Sequence, residues 1–447
     1  MDQVQGSGQH HELGGIREGG EEVHPEAEGG EALIEILSGE NSIGGNFVRI
    51  RDGDKTLVFD QGIRFDIMSR YYSMQVTPQG IAELRRLGVI PKQEWYMDAS
   101  GIYISHMHLD HLGLLHNIPS ETRVYLPSLS VYEDMKERWE NSSSWLQLVA
   151  GRYFLEIREI KPLEEDENGV IPLPVSHSAY PAYAFLYFGR EETILYTGDF
   201  RVDSFLGEER FLELIGEDLL TYLGENPDVR VDTLIIEGTN VGSNRTPISP
   251  DDVANMIRRI AISQKSSQAP MLFTLHGLDF EYAYLILEIA KELGFDCYVA
   301  SAQIAKLLER VPEPPVEINL VEDFVRYPTM REKVSLEEIG GNSFILTSHR
   351  EIVDLLRDPS FRPAMRSPVA VLSEPEPEVE EALEYDVIAN WLSAMGVQHY
   401  RMRASGHYYP YQLTRIMSVV RPKDVKPIHT KSPDLLKRLA SLSYGST

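Results

Sequence analysis

The sequence predicts an α/β protein in two textures: a β-rich, layered first half, and a second half in which strands and helices alternate. Three observations lead there. Apolar runs crowd the stretch from residue 32 to about 205, two of them joined by an Asp-Gly turn. Beyond it, strand-like and helix-like runs take turns. Histidines and aspartates recur where the first-half strands end.

The elements follow in order. "ALIEIL" and "NFVRIRDGDKTLVFDQG" read as β-rich runs around Asp-Gly, a strong hairpin signal. A stretch of helix and loop, residues 63–100, precedes the strand "GIYIS". Further strands are "ETRVYLP", "GVIPLPVS", "AFLYFG" and "ETILYTGD". The alternation then opens with "VDTLIIEG" as a strand and "SPDDVANMIRRIAISQ" as a helix, with Ser249 as cap and Pro250 in the first position. "PMLFTLHG", "DCYVAS", "NSFILTSH", "SPVAVLSE" and "VQHYRMRAS" are strands, with helices at "DFEYAYLILEIAKELG" and "EYDVIANWLSAMG". This rhythm implies a mostly parallel sheet with helices on both faces. The acidic run 374–384 reads as a solvated connection.

Composition bounds the function classes. At 447 residues the chain suits one large or two modest domains, and 42% hydrophobic with 25% charged residues is ordinary for a globular protein. The single cysteine, Cys297, excludes a disulfide framework and a Cys-based zinc site, and reads as core packing. Residues 1–31 are rich in Gly and Glu and read as a disordered acidic tail, not a signal segment, so His10, His11 and His24 count as tail residues. No apolar run is long enough to span a bilayer, and a cytoplasmic setting is expected. The formal charge of −27 excludes a simple basic nucleic-acid coat. Any attraction for phosphates has to be local.

The chemistry concentrates in "SHMHLDH", where His106, His108, Asp110 and His111 fall within six positions after a strand. His106 and His108, two apart, project from one side of an extended segment. Nitrogen and oxygen donors without cysteine suit zinc, and manganese or iron less selectively. Downstream, "VSHSAY" offers His177, "ILYTGDF" Asp199, "PIHT" His429 and "LVFDQG" Asp60, each at a strand end.

H-x-H-x-D-H after a strand resembles the metallo-β-lactamase signature. That resemblance implies an αββα sandwich with metal ligands on loops at one edge of two sheets. It assigns His106, His108 and His177 to one metal, and Asp110, His111 and His429 to the other, with Asp199 shared. Asp60 would orient ligand histidines from behind. Two zinc ions are expected, with manganese or iron as alternatives. Such a pair lowers the pKa of a bridging water, so the chemistry is hydrolysis, with Asp110 counted among the catalytic residues as well as the ligands.

The alternating segment between Asp199 and His429 resembles the β-CASP insertion of nucleases such as ribonuclease J. Glu237 in "LIIEGTN", Ser405, Gly406 and His407 in "RASGHYYP", and His429 in "PIHT" match that group's ordered motifs. The resemblance implies a tail at 1–31, a first metallo-β-lactamase part at 32–205, a β-CASP domain at 206–404 and a C-terminal part at 405–447. His407 would protonate the leaving oxygen or clamp the scissile phosphate, with Glu237 holding its ring. The partner implied is RNA or another single-stranded nucleic acid, with no membrane and a homodimer as an open option.

Weaker substrate-binding candidates are Ser405, His276, His349, Arg350, Arg401 and Arg403. His276 and His349 sit at strand-to-helix junctions, where phosphate contact and backbone satisfaction are both open. Arg401 and Arg403 alternate on one strand face leading into His407. The chain departs from ribonuclease J where "YYPY" follows "SGH" and where "TSHRE" replaces a Gly-Ser-rich phosphate loop. Tyr408, Tyr409 and Tyr411 are offered for base stacking instead. About eighteen residues follow His429, and the extra C-terminal domain of bacterial ribonuclease J is expected to be absent. A 5′-to-3′ exonuclease ranks first and an endonuclease close behind. A small-molecule hydrolase of a lactone, thioester or phosphodiester stays open, favoured by the acidic balance. A non-enzymatic subunit is disfavoured, because every ligand position is filled.

Overall fold

The computed structural model describes residues 32–73, 75–310, 314–364, 367–373, 385–402 and 404–444. The tail 1–31, the acidic connection 374–384 and Arg403 lie outside the described residues.

Strands β1 (Leu33–Ser38), β2 (Phe47–Asp52) and β3 (Lys55–Phe59) form an antiparallel meander. Strands β4 (Gly101–Tyr103), β5 (Arg123–Leu126) and β6 (Glu156–Glu159) extend it in parallel from β3. The β2–β3 turn is Gly53-Asp54, with Gly53 at φ +61, the left-handed backbone that such a short hairpin needs at its first position.

A second sheet repeats the plan. Strands β7 (Val170–Pro174), β8 (Tyr183–Phe188) and β9 (Thr193–Tyr196) are antiparallel, and β10 (Thr233–Glu237) joins β9 in parallel. Period-two alternation decides the layers. Leu57 and Phe59 of β3 face the second sheet, where Phe59 stacks on Phe185 and Tyr196 with ring centroids 5.4 Å apart in both cases. Val58, between them, faces helices. Truncating Phe59 to Ala would cost about 3–5 kcal/mol. Helix Leu129–Glu140 covers the first sheet through Val131, Met135 and Trp139; helices Leu219–Glu225 and Leu413–Val420 cover the second. The result is an αββα sandwich.

A third sheet of seven strands runs parallel throughout, in the order β14-β13-β12-β15-β11-β16-β17. Its strands are β11 (Met271–Thr274), β12 (Asp296–Val299), β13 (Ile318–Val321), β14 (Lys333–Val334), β15 (Ser343–Thr347), β16 (Val369–Leu372) and β17 (Gln398–Arg401). Helices cover both faces. Pro250–Lys265, Phe280–Leu293 and Ala302–Arg310 pack on one, His349–Arg357 and Tyr385–Ala394 on the other. Ser249 caps the first of these in a capping box with Asp252, and Pro250 occupies its first position. The chain then returns to the second sheet as β18 (Asp424–Ile428), paired in parallel with β10.

Strand β10 differs from the sequence reading, which opened the alternating segment with it. It lies between β9 and β18 in the sandwich. All five of its side chains are buried, so its pattern marks a central strand without saying which parallel sheet holds it. Strands β6, β13 and β14 are additions to the strands expected from the sequence. Among the described residues, no helix is long and apolar enough to cross a membrane.

Candidate metal centre

The site is assembled where strands of the sandwich end. Asp60 follows β3, His106 and His108 follow β4, and Asp110 and His111 sit on the short helix Leu109–Leu112. His177 follows β7, Asp199 follows β9, and Glu237 ends β10. His429 follows β18. Asp60 and His429 have left-handed backbones, φ 58 and φ 53, a strain that is found where surrounding structure over-determines a functional position.

Among the described residues two clusters result, linked by a group of His106, Asp110 and His111. His106, His108 and His177 bring one nitrogen each to within 4.8 Å of one another, as do donor atoms of His111, Asp199 and His429. In the first, His108 Nδ1 lies 3.1 Å from His106 Nε2 and 3.4 Å from His177 Nε2. In the second, Asp199 Oδ2 lies 3.0 Å from His111 Nε2, and Asp199 Oδ1 lies 3.4 Å from His429 Nδ1. Asp110 Oδ2 lies 3.8 Å from His111 Nε2 and 3.9 Å from His429 Nε2.

The donor set fits divalent metal ions. His111 Nε2, Asp199 Oδ1 and His429 Nδ1 are buried with no hydrogen-bond partner, a costly arrangement unless something else satisfies them. Burial, reinforced by mutual imidazole repulsion, holds His106, His108 and His177 well below the usual histidine pKa, so their lone pairs are available. Burial likewise pushes His429 down to about 3. Burial also opposes charge on His111, but Asp199, Asp110 and Asp60 outweigh it and hold its pKa well above normal. Burial raises Asp199 too, yet the imidazoles of His111, His429 and His407 keep it well below the carboxylate range. The local field is therefore one that a cation relieves.

Asp60 holds the cluster from behind. Its Oδ1 accepts from Ser105 N at 2.7 Å, and its Oδ2 accepts from the hydroxyls of Ser105 at 2.8 Å and Tyr196 at 2.6 Å. His111 Nδ1 lies 2.7 Å from the same Oδ2, which fixes the proton there and leaves Nε2 for a metal. The Asp110 peptide is pinned by the amides of Gly45 and Asn46. A Cβ on Gly62 would fall 1.6 Å from the Asp110 carbonyl oxygen, so the approach requires glycine.

Beside the clusters stands a third group, Asp199, Glu237 and His407. His407 Nδ1 lies 3.2 Å from Glu237 Oε1 and 3.1 Å from Thr239 Oγ1. Burial raises the Glu237 pKa, against the lowering influence of His407. Asn240 donates to Ser405 Oγ at 2.9 Å and to the Tyr408 carbonyl at 3.0 Å, fastening the loop. Ser405 Oγ also accepts from His407 N at 3.2 Å, so it shapes the loop that presents the histidine.

The remaining candidates separate. His276 packs edge-on against His108, centroids 4.8 Å apart, and its Nδ1 accepts from Leu278 N, which makes it a neighbour of a candidate ligand. His349 is buried at the start of its helix, where Ser348 is the cap. Arg350 lines a cleft between helix Leu129–Glu140 and the seven-stranded unit, and Arg401 is exposed on the outermost strand of that sheet. Tyr408 corrects the stacking expectation. It is 1% exposed, and its hydroxyl donates to the Glu237 carbonyl at 2.7 Å, so no base reaches its ring. Sequence reasoning missed Ser105, Tyr196, Thr239 and Asn240. The last two lie in the "EGTN" string that flagged Glu237.

No family model matches the chain. It is 23% identical over 428 residues to ribonuclease J of Mycobacterium tuberculosis, strains CDC 1551 / Oshkosh and ATCC 25618 / H37Rv, covering 89% of this chain and 68% of the relative. A crystal structure of a protein of unknown function from Enterococcus faecalis V583 superposes with a TM-score of 0.65 at 18% identity, over 90% of this chain and 95% of that one. The structural likeness speaks to fold alone. The similarity to ribonuclease J, together with the mixed α/β architecture, supports assigning the chain as metallo-β-lactamase and β-CASP ribonuclease-like.

Proposed function

We propose that the chain is a metal-dependent phosphodiester hydrolase acting on RNA. The observation that carries this reading is the Glu237–His407 pair standing against Asp199, beside two histidine-carboxylate clusters. His106, His108 and His177 would hold one metal, and Asp110, His111 and His429 the other, with Asp199 between them; zinc suits the donors, with manganese or iron as alternatives. When bound, two divalent ions lower the pKa of water toward neutrality and offset negative charge on a phosphate. The chain's own residues supply the rest. Glu237 and Thr239 engage His407 Nδ1, which assigns Nε2 the proton that the departing oxygen needs. A carboxylate at that nitrogen also stabilises the ring when charged.

On this reading the seven-stranded unit, from after β10 to residue 404, is the β-CASP insertion, closing over the ligand edge of the sandwich. A 5′-to-3′ exonuclease comes first and an endonuclease second, in a cytoplasmic setting where the substrate is found. The test is a time course on an RNA with a 3′ dye and either a 5′-monophosphate or a 5′-hydroxyl, with zinc or manganese. Shortening from the phosphorylated end means an exonuclease, and discrete fragments from both forms mean an endonuclease. Intact RNA with a metal-loaded protein favours the second reading, a small-molecule hydrolase, which the charge of −27 supports.

A further inference from the structure

Beside His407 the surface opens into a shallow recess with Ser405, Tyr411, Ile248, Pro250 and Asp203 among its walls. Tyr411 is its most exposed wall, at 62%. The ring is nevertheless held in place. It lies parallel to Tyr409, centroids 6.0 Å apart and planes 10° apart, on the one-turn segment Pro410–Gln412. Tyr409 is 9% exposed, and its hydroxyl accepts from the amides of Ser405 and Ile248, both at 3.3 Å. Gln412, next in the chain, donates to Asp203 at 2.6 Å. An exposed aromatic ring is thus fixed on a braced turn, in the same recess as the proposed proton donor.

The geometry points to a nucleobase subsite, in which Tyr411 stacks on the base of the nucleotide that leaves with the proton from His407. This rests on the phosphodiesterase reading above. The lining selects a base rather than a second phosphate. Asp203 would repel an anion, and Arg201, behind the wall, directs Nε to Ser176 Oγ at 2.9 Å and Nη2 to Asp279 Oδ1 at 3.4 Å, while Arg415 Nη1 lies 3.8 Å from Asp203 Oδ1. A flat, uncharged ring would meet Tyr411 on its face, with Ile248 and Pro250 among the lining. Stacking of this kind tolerates any base, because every base has a π-face.

The experiment walks a single abasic nucleotide through an otherwise identical RNA and measures kcat/KM for the native protein, Tyr411→Ala and Tyr411→Phe. The native protein is expected to lose on the order of ten-fold or more when the abasic position falls on the leaving side of the cleaved bond. Tyr411→Ala is expected to cleave intact RNA slower by a similar factor and to show no added loss at that position. Tyr411→Phe, which keeps the ring, retains the native dependence. An abasic loss of equal size in native protein and Tyr411→Ala would overturn the subsite while leaving the phosphodiesterase reading standing. RNA left uncut by the native protein would overturn both.

Discussion

His177 Nδ1 lies 2.7 Å from the carbonyl oxygen of Gly406, joining residues 229 positions apart. A carbonyl can only accept, so the proton sits on Nδ1 and Nε2 keeps its lone pair for a metal. The same peptide leads directly into His407. One contact therefore locks the loop that carries the proposed proton donor onto a proposed ligand of the first metal. A Cβ on Gly406 would fall 2.5 Å from Ser178 Oγ, which would have to rotate away, and 3.2 Å from His177 Cε1. Gly406→Ala should weaken metal binding at the His177 cluster by about 10–100-fold, read by competition with a chromophoric chelator. Native affinity in a folded Gly406→Ala protein would contradict the coupling.

His407 is argued to move a proton and not to hold a metal. His407→Gln should lower RNA cleavage by about 10²–10⁴-fold. The loss should shrink on a diester whose p-nitrophenolate leaves without protonation, while metal content stays at the native level. Loss of a metal equivalent on purification would instead make His407 a ligand, in keeping with its place in the cluster with Asp199 and Glu237.

Asp60 touches four groups and no substrate. Its Oδ2 accepts from the Ser105 and Tyr196 hydroxyls and faces His111 Nδ1. Asn offers at most one oxygen to these donors. Asp60→Asn should cost about 10–100-fold in metal affinity or activity, and the loss should appear at the metal that His111 serves. An unchanged metal titration would remove Asp60 from the account.

Burial lifts the Asp279 carboxyl to about 6, with Arg201 pulling it down and Glu281 pushing it up. The folded value exceeds the ordinary 3.8. Stability from this group is therefore complete below pH 4 and is lost as pH rises to about 6. The total is on the order of 3 kcal/mol or less. Asp279→Asn keeps an oxygen for Tyr282 N at the helix start, now served at 3.2 Å, and removes the titration. Urea midpoints of Asp279→Asn relative to native should rise between pH 4 and 6. A difference constant across that range would refute the shift.

The ligand edge was legible because the chemistry is local in the chain: His106 to His111 occupy six positions, and each partner ends an apolar strand. What braces them was not. Tyr196 reaches Asp60 across 136 positions and Thr239 reaches His407 across 168, and neither neighbourhood names its distant partner. Strand β10 was placed in the wrong sheet because "TLIIE" is buried on both faces, so periodicity carries no address. In "YYPY" the three tyrosines look alike, yet Tyr408 points into the sandwich and Tyr411 into solvent. Only the turn that Pro410 starts separates them.

The most direct test is to titrate metal-stripped protein with zinc or manganese and follow RNA cleavage against equivalents bound, alongside Asp199→Ala. Asp199 contributes an oxygen toward each of His111 and His429 and stands beside His407. Cleavage should appear as the second equivalent binds, and Asp199→Ala, folded by circular dichroism, should cleave nothing. Cleavage by stripped protein in chelator, or by Asp199→Ala, would contradict this.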